Sequence, residues 1–105
     1  MVTDPLAALS SPVRREILRM VWEDERPAGD IARAFSVSWP AVSQNLRVLK
    51  EAGLVRERRD GTRRLYRADR TALRPLESYL RRTWARKLDR LRLLAEAEER
   101  KTSKR

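Results

Sequence analysis

Ser43, Gln44, Asn45, Arg47 and Lys50 bring five hydrogen-bonding side chains of this 105-residue chain into one short stretch. The amides of Gln and Asn can bond bidentately to the N6/N7 edge of adenine, and a serine hydroxyl reaches several base edges. Arg and Lys bind guanine edges or phosphate oxygens. Such a set reads a surface and makes no covalent bonds. A second concentration follows: Arg58, Arg59, Arg63 and Arg64 flank Asp60-Gly61. That spacing brings four guanidinium groups to the end of one turn, where phosphate or a minor groove would satisfy them. The whole chain shares the bias, with 25 Lys+Arg against 15 Asp+Glu and a net charge of +10. A basic excess of that size calls for a polyanion, either nucleic acid or an anionic membrane surface.

Other chemistries drop out. There is no Cys and no His, which removes disulfides, thiolate metal sites, Cys–His nucleophiles and imidazole acid–base catalysis. No Gly-rich phosphate loop, convergent carboxylate pair or activated nucleophile can be assembled, so no enzyme, metal or cofactor is expected. Glu96, Glu98 and Glu99 lack the spacing of a cation site and read as a solvated tail. Met1 to Ser10 carry no basic-then-apolar leader, and no apolar run approaches the ~18 residues of a membrane span. The expectation is a cytoplasmic protein that does not use membranes.

The elements that must hold the two clusters can be read in order. Leu6, Ala7 and Leu9 suggest a short first helix. Ser11-Pro12 is a capped start, and Val13, Ile17, Leu18, Met20 and Val21 mark an amphipathic helix to about Glu23. Pro27 opens a third, with Ile31, Ala32 and Phe35 inward. Ser38 caps the next, with Trp39 and Pro40 in its first turn. Val42, Leu46 and Leu49 form its buried stripe at i, i+4 and i+7, which leaves Ser43, Gln44, Arg47 and Lys50 opposite and Asn45 on a flank. Trp39 either packs on that first turn or lies against a deoxyribose. Gly53 is placed to end the helix in a left-handed conformation.

A two-residue turn at Asp60-Gly61 would pair Arg58 with Arg63, Glu57 with Arg64 and Val55 with Tyr66. Like charges would then face each other at Arg58/Arg63, which favours an anion between them, while Glu57 would compete for Arg64. After Pro75, Leu76, Leu80, Trp84, Leu88, Leu91 and Ala95 repeat at helical spacing. The stripe is long and too apolar to leave wet, so a second copy is expected to cover it. Leu6, Leu9, Leu80, Trp84, Leu88 and Leu91 are the candidate dimer residues.

Read together, these residues resemble the ArsR/SmtB family of small bacterial winged-helix repressors across roughly Leu6 to Leu94. The most specific stretch is Ser38-Trp39-Pro40-Ala41-Val42-Ser43-Gln44-Asn45-Leu46-Arg47-Val48-Leu49-Lys50-Glu51-Ala52-Gly53-Leu54-Val55. The wing Asp60-Gly61-Thr62-Arg63-Arg64-Leu65-Tyr66-Arg67 is nearly as characteristic, and Leu9-Ser10-Ser11-Pro12-Val13-Arg14 resembles the family's entry into its second helix. The resemblance implies a mainly α winged helix-turn-helix: four helices, a small β-hairpin and a last helix, dimerised through the first and last helices. Family metal sensors carry a Cys motif on the helix that here holds Ala28-Gly29-Asp30-Ile31-Ala32-Arg33, or Asp/His ligands on the last helix. Neither set carries over. Trp39 is often polar or basic in relatives and Asn45 is often His, so no operator sequence carries over either.

The expected organisation is one DNA-binding and dimerisation domain over residues 1–97, followed by a basic, disordered tail over 98–105. The expected function is a homodimeric, sequence-specific repressor on double-stranded DNA with an inverted-repeat operator. Its recognition helix would span about 39–52 in the major groove, with the wing at 55–68 on the backbone or minor groove. Trp39, Pro40, Ser43, Gln44, Asn45, Arg47, Lys50, Arg58, Arg59, Arg63 and Arg64 are the candidate DNA contacts. Non-specific architectural DNA binding and a winged-helix protein–protein adaptor are the alternatives. A ligandless repressor is the default, with a small-molecule effector near the seam as the other option.

Overall fold

Proline and capping side chains set the helix starts in the structure, a computed structural model that describes residues 4–85. Asp4 caps α1 (Pro5–Ala8), accepting from the Leu6 N–H at 3.1 Å. Ser11 caps α2 (Pro12–Met20) through the Arg14 N–H at 3.3 Å. A short strand β1 (Arg26–Pro27) leads directly into α3 (Ala28–Arg33). Ser38 caps α4 (Trp39–Glu51) through the Ala41 N–H at 3.3 Å. Strands β2 (Val55–Asp60) and β3 (Arg63–Ala68) follow, then α5 (Arg70–Leu73), a 3₁₀ turn Arg74–Leu76, and α6 (Glu77–Ala85). None of the described helices is long and apolar enough to cross a membrane.

The end of α4 follows from Gly53, whose φ is +77. The Gly53 N–H bonds the Lys50 carbonyl and the Leu54 N–H bonds the Leu49 carbonyl, both at 3.0 Å. This is the paired closure that a left-handed glycine permits, and it redirects the chain into β2.

The sheet order is β1-β3-β2, all antiparallel. β1 is an addition to the elements expected from sequence, where Pro27 reads only as a helix start. Pro27 does both jobs, pairing with Leu65 as an edge residue and then standing at the N-cap of α3. A proline without an N–H is tolerated on an edge.

The hairpin register differs from the expected one. Asp60 pairs with Arg63, Arg59 with Arg64, Arg58 with Leu65, Glu57 with Tyr66 and Val55 with Ala68. The turn is therefore Gly61-Thr62. A type I′ turn on Asp60-Gly61 needs positive φ at both residues, and only Gly61 has it, at +64. Glycine at the first central position and an L-residue at the second is the II′ arrangement. The slip is by two residues, so faces are preserved and Val55, Glu57, Arg64 and Tyr66 still share one. The opposed Arg58/Arg63 pair, however, does not exist.

One core joins all layers: Leu9, Ile17, Leu18, Ile31, Val42, Leu46, Leu49, Leu73 and Leu80 are almost completely buried. Leu9 and Leu80, expected at a dimer seam, are thus interior residues, 2% and 0% exposed in a single chain. α6 lays Leu80 into the core, and a stripe at helical spacing does not reveal whether its own chain or another covers it. Trp84 is half-buried, donates from Nε1 to the Arg15 carbonyl at 3.0 Å, and sets its ring edge-on to Trp22 at 5.0 Å. Leu6 remains open, 66% exposed. Leu88, Leu91 and the expected tail lie outside the described residues. The architecture is a winged helix-turn-helix, α3 and α4 forming the turn pair and β2-β3 the wing.

Candidate nucleic-acid interface

The buried triplet Val42, Leu46 and Leu49 pins α4 to the core and determines what its other side presents. Pro40, Gln44 and Arg47 lie on the exposed side at i, i+4 and i+7, with Trp39 and Lys50 exposed beside them and Ser43 half-exposed. Trp39 is 53% exposed. Gln44 makes no side-chain hydrogen bond within the described residues, and its amide is therefore available. Asn45 differs. Its Nδ2 donates to the Ala41 carbonyl at 2.9 Å and its Oδ1 accepts from Arg14 Nη1 at 3.0 Å. Half-buried and bonded at both ends, it leaves the candidate reading face for an internal role.

The cations beside this face are held by carboxylates. Arg47 pairs with Glu51 at 3.0 Å, one turn on. Lys50 Nζ donates to Glu57 Oε1 at 2.9 Å, and the Tyr66 hydroxyl donates to Glu57 Oε2 at 2.6 Å. Glu57 thus ties the end of α4 to the base of the wing and does not take Arg64 as its partner. Arg58 grips Glu25 with two bonds of 2.9 and 2.6 Å, which fastens the wing to the turn before β1. Arg63 lies 3.7 Å from Asp60. Exposed pairs of this kind are each worth about 0–1 kcal/mol, so a phosphate can displace the carboxylate at small cost.

Arg59 and Arg64 are the exception. They face each other across the strands, both are exposed, and neither lies within 4 Å of a carboxylate among the described residues, Arg64 acting electrostatically on Tyr66 and Glu57 beside it. An anion between opposed arginines is therefore favoured at Arg59/Arg64 and not at Arg58/Arg63. The corrected register also places this pair on the face that carries Glu57, the residue bonded to α4. Nothing in the sequence pointed to Glu25 as the partner of Arg58, since they are far apart along the chain and meet only through the fold.

Charge and burial tune the Glu57–Tyr66 pair in opposite directions. Bonds from the Tyr66 hydroxyl and the Lys50 ammonium hold the Glu57 carboxyl below the usual range. Burial, then the bond to Glu57, pushes the Tyr66 phenol from 10.0 up to about 12. A raised folded-state value gives stability that is present below pH 10 and lost as pH rises through 12. Wild-type stability is expected to fall more steeply over that window than that of Tyr66→Phe, read as the denaturant midpoint. Parallel falls in both proteins would remove the phenol as the cause. Glu57 acts at the other end, and its contribution fades as pH drops below the ordinary carboxylate range.

Among the described residues no group of three or more His, Cys, Asp or Glu could hold a metal ion. The Ala28–Arg33 helix, like the rest of the chain, holds no Cys or His. The donors present do not fit a thiolate or imidazole metal site.

Residues 9–58 match a family described as a helix-turn-helix domain. The HTH-type transcriptional regulator Rv2034 of Mycobacterium tuberculosis is 43% identical over 91 residues, spanning 87% of this chain and 85% of that protein. The transcriptional repressor SdpR of Bacillus subtilis is 38% identical over 66 residues, 63% of this chain and 73% of SdpR. Among solved structures, a possible transcriptional regulator for arsenical resistance is 40% identical with a TM-score of 0.68, covering 86% of this chain and 94% of its own. The homodimeric winged helix-turn-helix DNA-binding domain of Mb0332 from Mycobacterium bovis, a possible ArsR-family regulator, is 33% identical. Its TM-score is 0.65, over 78% of this chain and 76% of that one.

Proposed function

The chain belongs to the ArsR/SmtB family of winged-helix transcriptional regulators, and from that premise we propose that it is a homodimeric, sequence-specific DNA-binding repressor without a Cys/His metal switch. The observation that carries the proposal is the exposed side of α4, where Gln44 is unbonded among the described residues and flanked by Trp39, Ser43, Arg47 and Lys50. An α-helix fits the major groove, and a free glutamine amide matches the N6/N7 edge of adenine. Two such helices related by a dyad would enter successive major grooves, on half-sites roughly one helical turn apart. Leu6 on α1 stays exposed for a second copy, as does Tyr79 on α6, 41% exposed. The homodimeric state of the Mb0332 domain supports the same assembly.

Selection from a random duplex pool at near-physiological salt tests this. Enrichment of an inverted repeat with half-sites about one turn apart is the expected result. Retention without enrichment would replace the repressor by a non-specific coating protein, and no retention would favour a protein–protein adaptor.

The wing has its own test. Replacing Arg59 and Arg64 together with alanine should weaken binding to specific and scrambled DNA alike. The slope of log K against log salt should become shallower by about 0.9 for each phosphate that the wing no longer neutralises. Arg58→Ala should change it less, because Arg58 is already bound to Glu25. An unchanged slope in the double variant would take the wing tip off the phosphates.

A further inference from the structure

We propose that Arg14 is a positioning residue that fixes α4 relative to the dimer-forming helices and thereby sets the half-site separation the protein accepts. The inference rests on the DNA-reading function proposed above. One guanidinium reaches three places: Arg14 Nε donates to the Ala8 carbonyl at 2.7 Å, Nη2 to the Ala7 carbonyl at 3.4 Å, and Nη1 to Asn45 Oδ1 at 3.0 Å. The first two are carbonyls at the end of α1, that of Ala7 accepting as well from the Ser10 N–H at 3.1 Å and the Ser10 hydroxyl at 2.7 Å. The third lies in the middle of α4. The Asn45 amide is held in place by its second bond, to the Ala41 carbonyl at 2.9 Å.

The adjacent residue extends the junction. Arg15 donates to the Leu9 carbonyl at 2.8 Å, and its own carbonyl accepts from Trp84 of α6 at 3.0 Å. Two consecutive residues of α2 thus bond to Ala7, Ala8 and Leu9 at the end of α1, to α4 and to α6. A guanidinium is a planar fork with donors at fixed angles, so it transmits a geometry as well as a charge. In the proposed dimer α1 and α6 lie at the dyad. The buried stripe holds α4 on the core, the Arg14 fork fixes its remaining freedom of tilt relative to that dyad, and the dyad-related pair of α4 helices defines the half-site separation.

Asn45→Ala removes the link to α4 while leaving Arg14 on α1, and Asn45→Asp keeps an oxygen acceptor for Arg14. Both are compared with wild type on a panel of inverted repeats, built from the wild-type selected half-site, whose spacing varies by single base pairs. Wild type is expected to favour one spacing over its neighbours by about tenfold, and Asn45→Ala to fall to about threefold or less while still fully folded at the assay temperature. Asn45→Asp should keep the wild-type spacing preference, although its added negative charge lowers affinity at every spacing. Retention of the wild-type preference by Asn45→Ala would overturn the proposal and leave the repressor reading intact. Broadening in Asn45→Asp equal to that in Asn45→Ala would also overturn it, and would return the Asn45 amide to the bases. Absence of any inverted-repeat preference in wild type would overturn the repressor reading and this inference with it.

Discussion

Truncating Leu80 to alanine is expected to lower the unfolding free energy by about 2–5 kcal/mol, the range for removing a fully buried leucine from a core that only partly collapses around the gap. Leu80 is 0% exposed in a single chain, so the loss belongs to the fold of each subunit. Total stability in small domains is only about 5–15 kcal/mol, and the variant should be visibly less stable by urea titration. Sedimentation separates the two roles that the α6 stripe could have had. A Leu80→Ala protein of native stability that dissociates more readily would return Leu80 to a seam. Leu6→Glu is the complementary case. With its side chain 66% exposed, it should leave subunit stability nearly unchanged and weaken self-association.

Leu80 also shows where the sequence stops being legible. Val42, Leu46 and Leu49 announce the buried side of α4 because three residues at helical spacing can face only one way. Gly53 announces the helix end because only glycine takes φ +77 without cost. Ser11 and Ser38 announce the starts through their hydroxyls. Each of these is a local rule, satisfied within one or two turns. The wing register turns on a finer local rule, since Asp60-Gly61 and Gly61-Thr62 both contain the glycine a tight turn needs, and only the sign of φ beside it decides between them. Periodicity preserves the faces but not the partners, so an expected clash at Arg58/Arg63 becomes a real juxtaposition at Arg59/Arg64.

The remaining misreadings are non-local. Leu9 and Leu80 are as apolar as a dimer contact requires, and only the packing of α1 and α6 on α2 and α4 settles them as interior. Asn45 sits on the right helix for base contact, yet Arg14, distant in sequence, takes its carbonyl oxygen. Glu25 and Glu57 are invisible in the sequence as partners of Arg58 and Lys50, because charge patterning along a chain does not give proximity across a fold. What sequence pattern could place was the helix α4 and its buried side. What it could not place was the set of bonds that aim it.

Gln44→Ala is expected to cost about 1–3 kcal/mol on the preferred DNA site, a loss of roughly one to two orders of magnitude in affinity, and to relax the preference at one base position per half-site. The direction follows from what the side chain lacks. Gln44 has no hydrogen-bond partner among the described residues and lies at the middle of the exposed stripe, so its removal disturbs no internal bond. Stability should stay within about 0.5 kcal/mol of wild type, as for other exposed positions away from caps and networks. Binding to scrambled duplex should barely change, because Gln44 carries no charge and non-specific affinity comes from phosphates. Competition assays with the selected site and a scrambled duplex measure both quantities in one experiment. Equal losses on the two duplexes would mean that Gln44 supports the helix or the backbone contact and reads no base. The burden of specificity would then pass to Arg47 and Lys50, which must first leave Glu51 and Glu57 to reach a guanine.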